Sequence, residues 1–153
     1  LIFKGISGLI PLALLMMLAF AIGTVCRELG TGIYSAELSK QWLAPDFVPV
    51  IIFLVGCFIA FSTGTSWGTF AIMLPIGIPM AQALDANLYL TVAAALGGGV
   101  FGDHCSPISD TTIISSMASA SDHIDHVKTQ LPYALTAGAI TAVLYLVLGI
   151  LIH

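Results

Sequence analysis

Two carboxylates, Asp103 and Asp110, bracket a segment that also carries His104, Ser106, Pro107 and Ser109, and Thr111 and Thr112 follow directly. Carboxylates, hydroxyls and the carbonyls freed where a helix breaks are hard oxygen donors, the kind that a small hard cation such as Na⁺ prefers. The neighbouring sequence is apolar, and a charged side chain at the centre of a bilayer costs about 2.5 to 3.5 kcal/mol on insertion scales. A bound cation or a proton is the partner that would offset this cost. Asp103 and Asp110 are therefore candidate Na⁺ ligands, with Ser106, Ser109, Thr111 and Thr112 as neutral donors. The competing reading makes the aspartates helix caps in a surface loop. His104 is a candidate proton shuttle or partner of Asp103, against a purely structural role.

A second polar set lies at residues 61–69, where Thr63, Thr65 and Ser66 surround Gly64. It can lend oxygens or backbone dipoles to the same site. Two other patterns read as bland. His123 and His126 in Asp122-His-Ile-Asp-His126 have a spacing seen in metal sites, but the run reads as a solvated loop. Ser106 or Ser109 with His104 and Asp103 does not read as a hydrolase, because adjacent residues rarely reach triad geometry and no G-x-S-x-G elbow is present. No catalytic residues, enzymatic activity or cofactor are expected; Na⁺ and H⁺ would be cargo.

The elements that must hold these groups are membrane helices. Of 153 residues, 58% are hydrophobic and 8% charged, where a soluble domain carries about a quarter charged residues. An all-α integral membrane fold follows, with lipid as its surroundings and no basic surface to suggest nucleic acid. Three cysteines without C-x-x-C spacing indicate neither a disulfide framework nor a zinc module. Residues 6–25 read as a transmembrane helix and 26–46 as a polar connection with room for a short interfacial helix. Residues 47–84 carry no charge and as one helix would be roughly 57 Å long, nearly twice the hydrocarbon thickness of about 30 Å. The stretch must fold back near 61–69, as a re-entrant hairpin with a polar tip or as two short full spans joined at the surface. Asp85-Ala-Asn87 marks a turn. Residues 88–119 read as a broken transmembrane helix: Gly97, Gly98, Gly99, Gly102 and Pro107 oppose a continuous one, and Ser106 is placed to cap its second half. Residues 121–130 read as a wet loop and 131–152 as the last transmembrane helix. Lys4 and Lys128 balance Arg27 and Lys40, so the positive-inside rule gives no orientation.

The string Gly102-Asp-His-Cys-Ser-Pro-Ile-Ser-Asp-Thr-Thr112, with Asp122-His-Ile-Asp-His126, Thr129-Gln-Leu-Pro-Tyr133 and Gly64-Thr-Ser-Trp-Gly-Thr69, resembles the NhaC-type sodium/proton antiporter family of the ion-transporter superfamily. The resemblance implies a multi-pass secondary transporter of the inner membrane, built from inverted repeats with hairpins and broken helices at its centre. This chain resembles the second, C-terminal repeat, so the N-terminal half of the same transporter is the expected partner, and a homodimer stays open. Members exchange Na⁺ for H⁺, and some couple Na⁺ and protons to malate and lactate. The absence of Lys or Arg near the break favours an inorganic cation.

Overall fold

In the structure, a computed structural model that describes residues 2–39 and 42–152, every element is helical. Helix α1 is Ile2–Glu28, α2 Thr31–Ser39, α3 Val48–Thr63, α4 Ser66–Leu84, α5 Leu88–Cys105, α6 Asp110–Ala118 and α7 His123–Leu151, with a 3₁₀ turn at Pro45–Phe47 before α3. Within α1 the side chains of residues 2–9, 11, 12, 15, 16 and 19 lie outside the described set, and nine of these positions fall in the expected span at 6–25, which is helical throughout. Among the described residues, Pro45–Thr63, Ser66–Leu84 and His123–Leu151 are long and apolar enough to cross a membrane. The polar connection holds the short helix α2 and exposes Tyr34 and Trp42, whose rings suit the headgroup level.

The uncharged stretch folds back where its hydroxyls and glycines lie. Helix α3 ends because Gly64 adopts φ 69°, a left-handed conformation that glycine takes without a Cβ penalty, and its N–H bonds the carbonyl of Ala60. Thr65 is extended and caps α4, its hydroxyl accepting from the Gly68 N–H at 3.4 Å. At the other end Asp85 takes φ 57° and Asn87 caps α5, its side-chain oxygen accepting from the Leu90 N–H at 3.0 Å. Asp85-Ala-Asn87 is thus the expected turn.

The glycines of α5 behave differently from the sequence expectation. Gly97, Gly98, Gly99 and Gly102 are all helical, and the helix runs unbroken to Cys105. Their role is contact: a Cβ on Gly98 would strike the carbonyl of Phe53, and one on Gly102 the carbonyl of Cys57. The missing side chains let α5 lie backbone to backbone against α3, and such packing outweighs the weak helix propensity of glycine. Around this seam the core gathers Val48, Ile52, Phe53, Met73, Met80, Leu84, Ala94 and Ala95.

Two ends of the bundle can be distinguished by contacts. At one end, Asn87 donates to the carbonyl of Ile152 at 3.2 Å, and a Cβ on Gly149 would meet the carbonyl of Asp46. At the other end, the turn between α3 and α4 meets the break between α5 and α6, where a Cβ on Gly64 would lie 2.8 Å from the carbonyl of Ile108. The last helix begins at His123 rather than at residue 131. Its cap is Asp122, whose carboxylate accepts from the N–H groups of Ile124 and Asp125 at 2.9 and 3.1 Å. Polar residues in the first turns of a long helix read as loop in the sequence, yet they form a capped start.

Candidate functional site

The break at residues 106–109 is built by two serines. Ser106 follows α5, and its hydroxyl accepts from the Ile108 N–H at 3.3 Å, which closes a tight bend around Pro107. Ser109 is the cap of α6, accepting from the Thr111 N–H at 3.2 Å. The expected cap was Ser106, with Pro107 in the first turn; the helix instead starts after Ser109, at Asp110. That start puts the Ser109 hydroxyl beside Asp103.

Asp103, on the last turn of α5, is only 5% exposed. Its Oδ1 accepts from the Ser109 hydroxyl at 2.6 Å and its Oδ2 from the Thr111 hydroxyl at 3.3 Å, while the two hydroxyls lie 2.7 Å apart. The Nδ1 of His104 stands 3.9 Å from Oδ2, beyond hydrogen-bond range, with a side chain 58% exposed. Among the described residues no Lys or Arg pairs with this carboxylate. A buried carboxylate held only by neutral hydroxyls is short of positive charge, and a proton or a bound cation would supply it.

In front of Asp103 lies a cavity of ≈ 300 Å³ between the turn and the break. Thr63, Gly64, Thr65 and Ser66 line it from the turn, and Asp103, Asp110 and Thr111 from the break. Both polar sets singled out from the sequence therefore face one space. Within it the two aspartates differ: Asp103 is buried, whereas Asp110, the first residue of α6, is exposed. Hydroxyls already engaged elsewhere are less free to bind cargo. Thr63 donates to the carbonyl of Ile59 at 2.9 Å.

Four of the expected site residues lie outside that lining: Ser109, which bonds Asp103, and Ser106, Thr112 and His104. Ser106 is fully buried and serves the bend. Thr112 reaches the carbonyls of Asp103 and His104 at 3.5 and 3.4 Å, satisfying the end of α5. His104 contributes its carbonyl, which also accepts from the Gln130 side chain at 2.9 Å. Sequence reasoning missed the involvement of α7 altogether. His123 Nε2 lies 2.6 Å from the carbonyl of Pro107 and Nδ1 3.2 Å from the Ser116 hydroxyl, so both ring nitrogens are engaged with the break and with α6. The signal available in the sequence was Asp122, a good helix cap directly before His123.

Over residues 1–150 the sequence matches the Na⁺/H⁺ antiporter family. It is 46% identical to an uncharacterized protein of Haemophilus influenzae over 95% of this chain and 28% of that protein. It is 34% identical to the malate-2H⁺/Na⁺-lactate antiporter of Bacillus subtilis, over 73% of this chain and 27% of that one. Identity is 29% to the Na⁺/H⁺ antiporter NhaC of Alkalihalophilus pseudofirmus, over 93% and 30%. The chain thus spans less than a third of the length of these curated relatives. No solved structure matches it.

Proposed function

Since the chain belongs to the Na⁺/H⁺ antiporter family, we propose that it supplies the ion-binding part of a secondary transporter that exchanges Na⁺ for H⁺ across the cytoplasmic membrane. The observation that carries this reading is Asp103, buried at the mouth of a hydroxyl-lined cavity with no Lys or Arg paired to it among the described residues. Na⁺ and H⁺ compete for that carboxylate. When Na⁺ enters, Ser109 and Thr111 turn their hydroxyl hydrogens away from Asp103 and offer oxygen lone pairs to the ion. When the proton returns, the carboxyl no longer ligates a cation, and Na⁺ leaves. Asp110, exposed on the same cavity, attracts the cation and receives it first. Thr65, Ser66 and the backbone of the turn complete the oxygen shell from the opposite side.

The α3–α4 pair is then a re-entrant hairpin, its polar tip meeting the broken α5–α6 helix near the bilayer midplane. A broken helix is tolerated at that depth where protein or a water-filled cavity satisfies the freed backbone groups. The chain is read as the second of two inverted repeats, with the other repeat, in the remainder of the protein, closing the cavity. The protein is a transporter rather than an enzyme, and it uses no cofactor.

A second reading rests on the Bacillus subtilis relative: a Na⁺- and H⁺-coupled exchanger of organic acids such as malate and lactate. The cavity lining favours the first, since it contains two carboxylates and neither Lys nor Arg to hold an organic anion. Proteoliposomes containing the full-length protein separate them. An outward Na⁺ gradient alone should draw protons inward and alkalinise the external medium in step with Na⁺ flux, with lactate or malate making no difference. Flux that requires either acid would replace the first reading by the second.

A further inference from the structure

We propose that the cavity in front of Asp103 also takes an organic monocation with an N–H-bearing head, a guanidinium or a protonated amine, in competition with Na⁺; this rests on the transport reading above. The cavity is larger than a metal ion needs. At ≈ 300 Å³ it has room for about ten water molecules, whereas a small hard cation must be touched by its oxygens at about 2.5 Å. An ion resting on Asp103 leaves most of that space to water. The walls are also unlike those of an all-oxygen cage. Trp67, in the first turn of α4, lines the cavity from the turn, and Ile108 lines it from the break. Both side chains are more than half exposed, so apolar surface is available to an occupant. Such a wall offers Na⁺ nothing, but it covers the carbon atoms of an organic ion. Indole is the best aromatic partner for a cation, and the edge contact of Trp67 with Phe70, ring centroids 5.9 Å apart at 71°, holds it in place.

The carboxylate suits an N–H head as it stands. A carboxylate offers about four lone-pair sites. On Asp103 the Ser109 hydroxyl takes one at Oδ1 and the Thr111 hydroxyl one at Oδ2, which leaves one on each oxygen. A guanidinium fork fills such a pair with two parallel N–H bonds. The organic cation is therefore held with both hydroxyl hydrogens still on Asp103, whereas Na⁺ needs the hydroxyl oxygens themselves and must turn those hydrogens away. Asp103 is 5% exposed and has no Lys or Arg paired to it among the described residues, so the positive head supplies its counter-charge. Asp110, exposed on the same cavity, adds a second negative charge. The lining of this chain holds no cationic side chain. A carboxylate on the ligand would face two aspartates unpaired, so the class is simple monocations and not amino acids.

The test uses the full-length protein in proteoliposomes, with uptake of radioactive Na⁺ measured against external methylguanidine, whose head, like that of arginine, stays protonated. Methylguanidine should raise half-saturating Na⁺ in proportion to its concentration and leave the maximal Na⁺ rate unchanged. Tetramethylammonium has the same charge and no N–H, and it should compete at least about tenfold more weakly, the loss of the charge-assisted bonds. Trp67→Leu should raise the inhibition constant of methylguanidine about threefold with half-saturating Na⁺ unchanged, and Trp67→Phe should recover most of that difference. Methylguanidine without effect on Na⁺ uptake, or no more potent than tetramethylammonium, would overturn the proposal. So would Trp67→Leu and Trp67→Phe weakening Na⁺ and methylguanidine alike. Asp103→Asn keeps the two readings apart: Na⁺ uptake that survives it unimpaired sinks the transport reading, whereas Na⁺ uptake that depends on Asp103 yet ignores methylguanidine sinks the organic-cation proposal alone.

Discussion

Replacing Asp103 by Asn removes a charge and almost no volume. The Asn oxygen can keep accepting from Ser109, and its amide can donate to the Thr111 oxygen, so the two contacts at 2.6 and 3.3 Å persist in altered polarity. Folding should lose about 1 kcal/mol or less, the net worth of one neutral hydrogen bond. Na⁺ binding should lose far more. An interaction with a charged group contributes about 1.5 to 3 kcal/mol, and losing it corresponds to a rise of roughly 10- to 150-fold in half-saturating Na⁺. Asp110 is exposed on the same cavity, and solvent screening limits Asp110→Asn to an increase of about fivefold. The assay is Na⁺-driven proton flux in proteoliposomes, read with an internal pH dye, alongside thermal unfolding in detergent. A half-saturating Na⁺ for Asp103→Asn within about twofold of the wild type, or an Asp110→Asn defect larger than the Asp103→Asn defect, would refute the ranking drawn from burial.

Gly64→Ala must place a Cβ at φ 69° and 2.8 Å from the Ile108 carbonyl, so the turn and the break separate; unfolding should come at lower temperature, by about 1 to 3 kcal/mol of stability, and exchange should fall with it. Ser109→Ala removes both the cap of α6 and the closest donor to Asp103, which should cost about 1 kcal/mol in stability and raise half-saturating Na⁺, measured in the same vesicles. Competition for one carboxylate makes half-saturating Na⁺ rise on acidification while the rate at saturating Na⁺ changes less, since a protonated carboxyl is a poor cation ligand; an affinity constant from about pH 6 to about pH 9 would reject a shared carboxylate.

The turn at Gly64 and Thr65 and the break around Pro107 were legible because hydroxyls, glycine and proline interrupt an apolar pattern locally, and local chemistry decides where a chain bends. The glycines of α5 were misread for the complementary reason. Propensity argues against helix at Gly97, Gly98 and Gly99, but the decisive term is the approach of the α3 backbone, which no local window contains. Pro75 and Pro79 likewise lie inside α4 without ending it. The start of α7 was misplaced because His123 to Gln130 is polar, and polarity at the end of a helix resembles a loop. The bond from His123 to Pro107 joins residues brought together only by α6 folding back on α7. Asp103 and Asp110 were legible as a pair; their difference in burial was not, since it depends on α6 starting at Asp110 rather than at Pro107.

The central claim is that Na⁺ and a proton take turns on Asp103. Proton release on Na⁺ binding tests it without any transport step. The purified full-length protein, in detergent and weakly buffered medium held slightly acidic, is titrated with NaCl against a choline chloride control while a pH indicator is read. The account predicts that Na⁺ alone acidifies the medium, saturably, and that Asp103→Asn abolishes the signal while Asp110→Asn keeps most of it. Saturable Na⁺ binding with no proton released by the wild type, or equal release from Asp103→Asn, would contradict it.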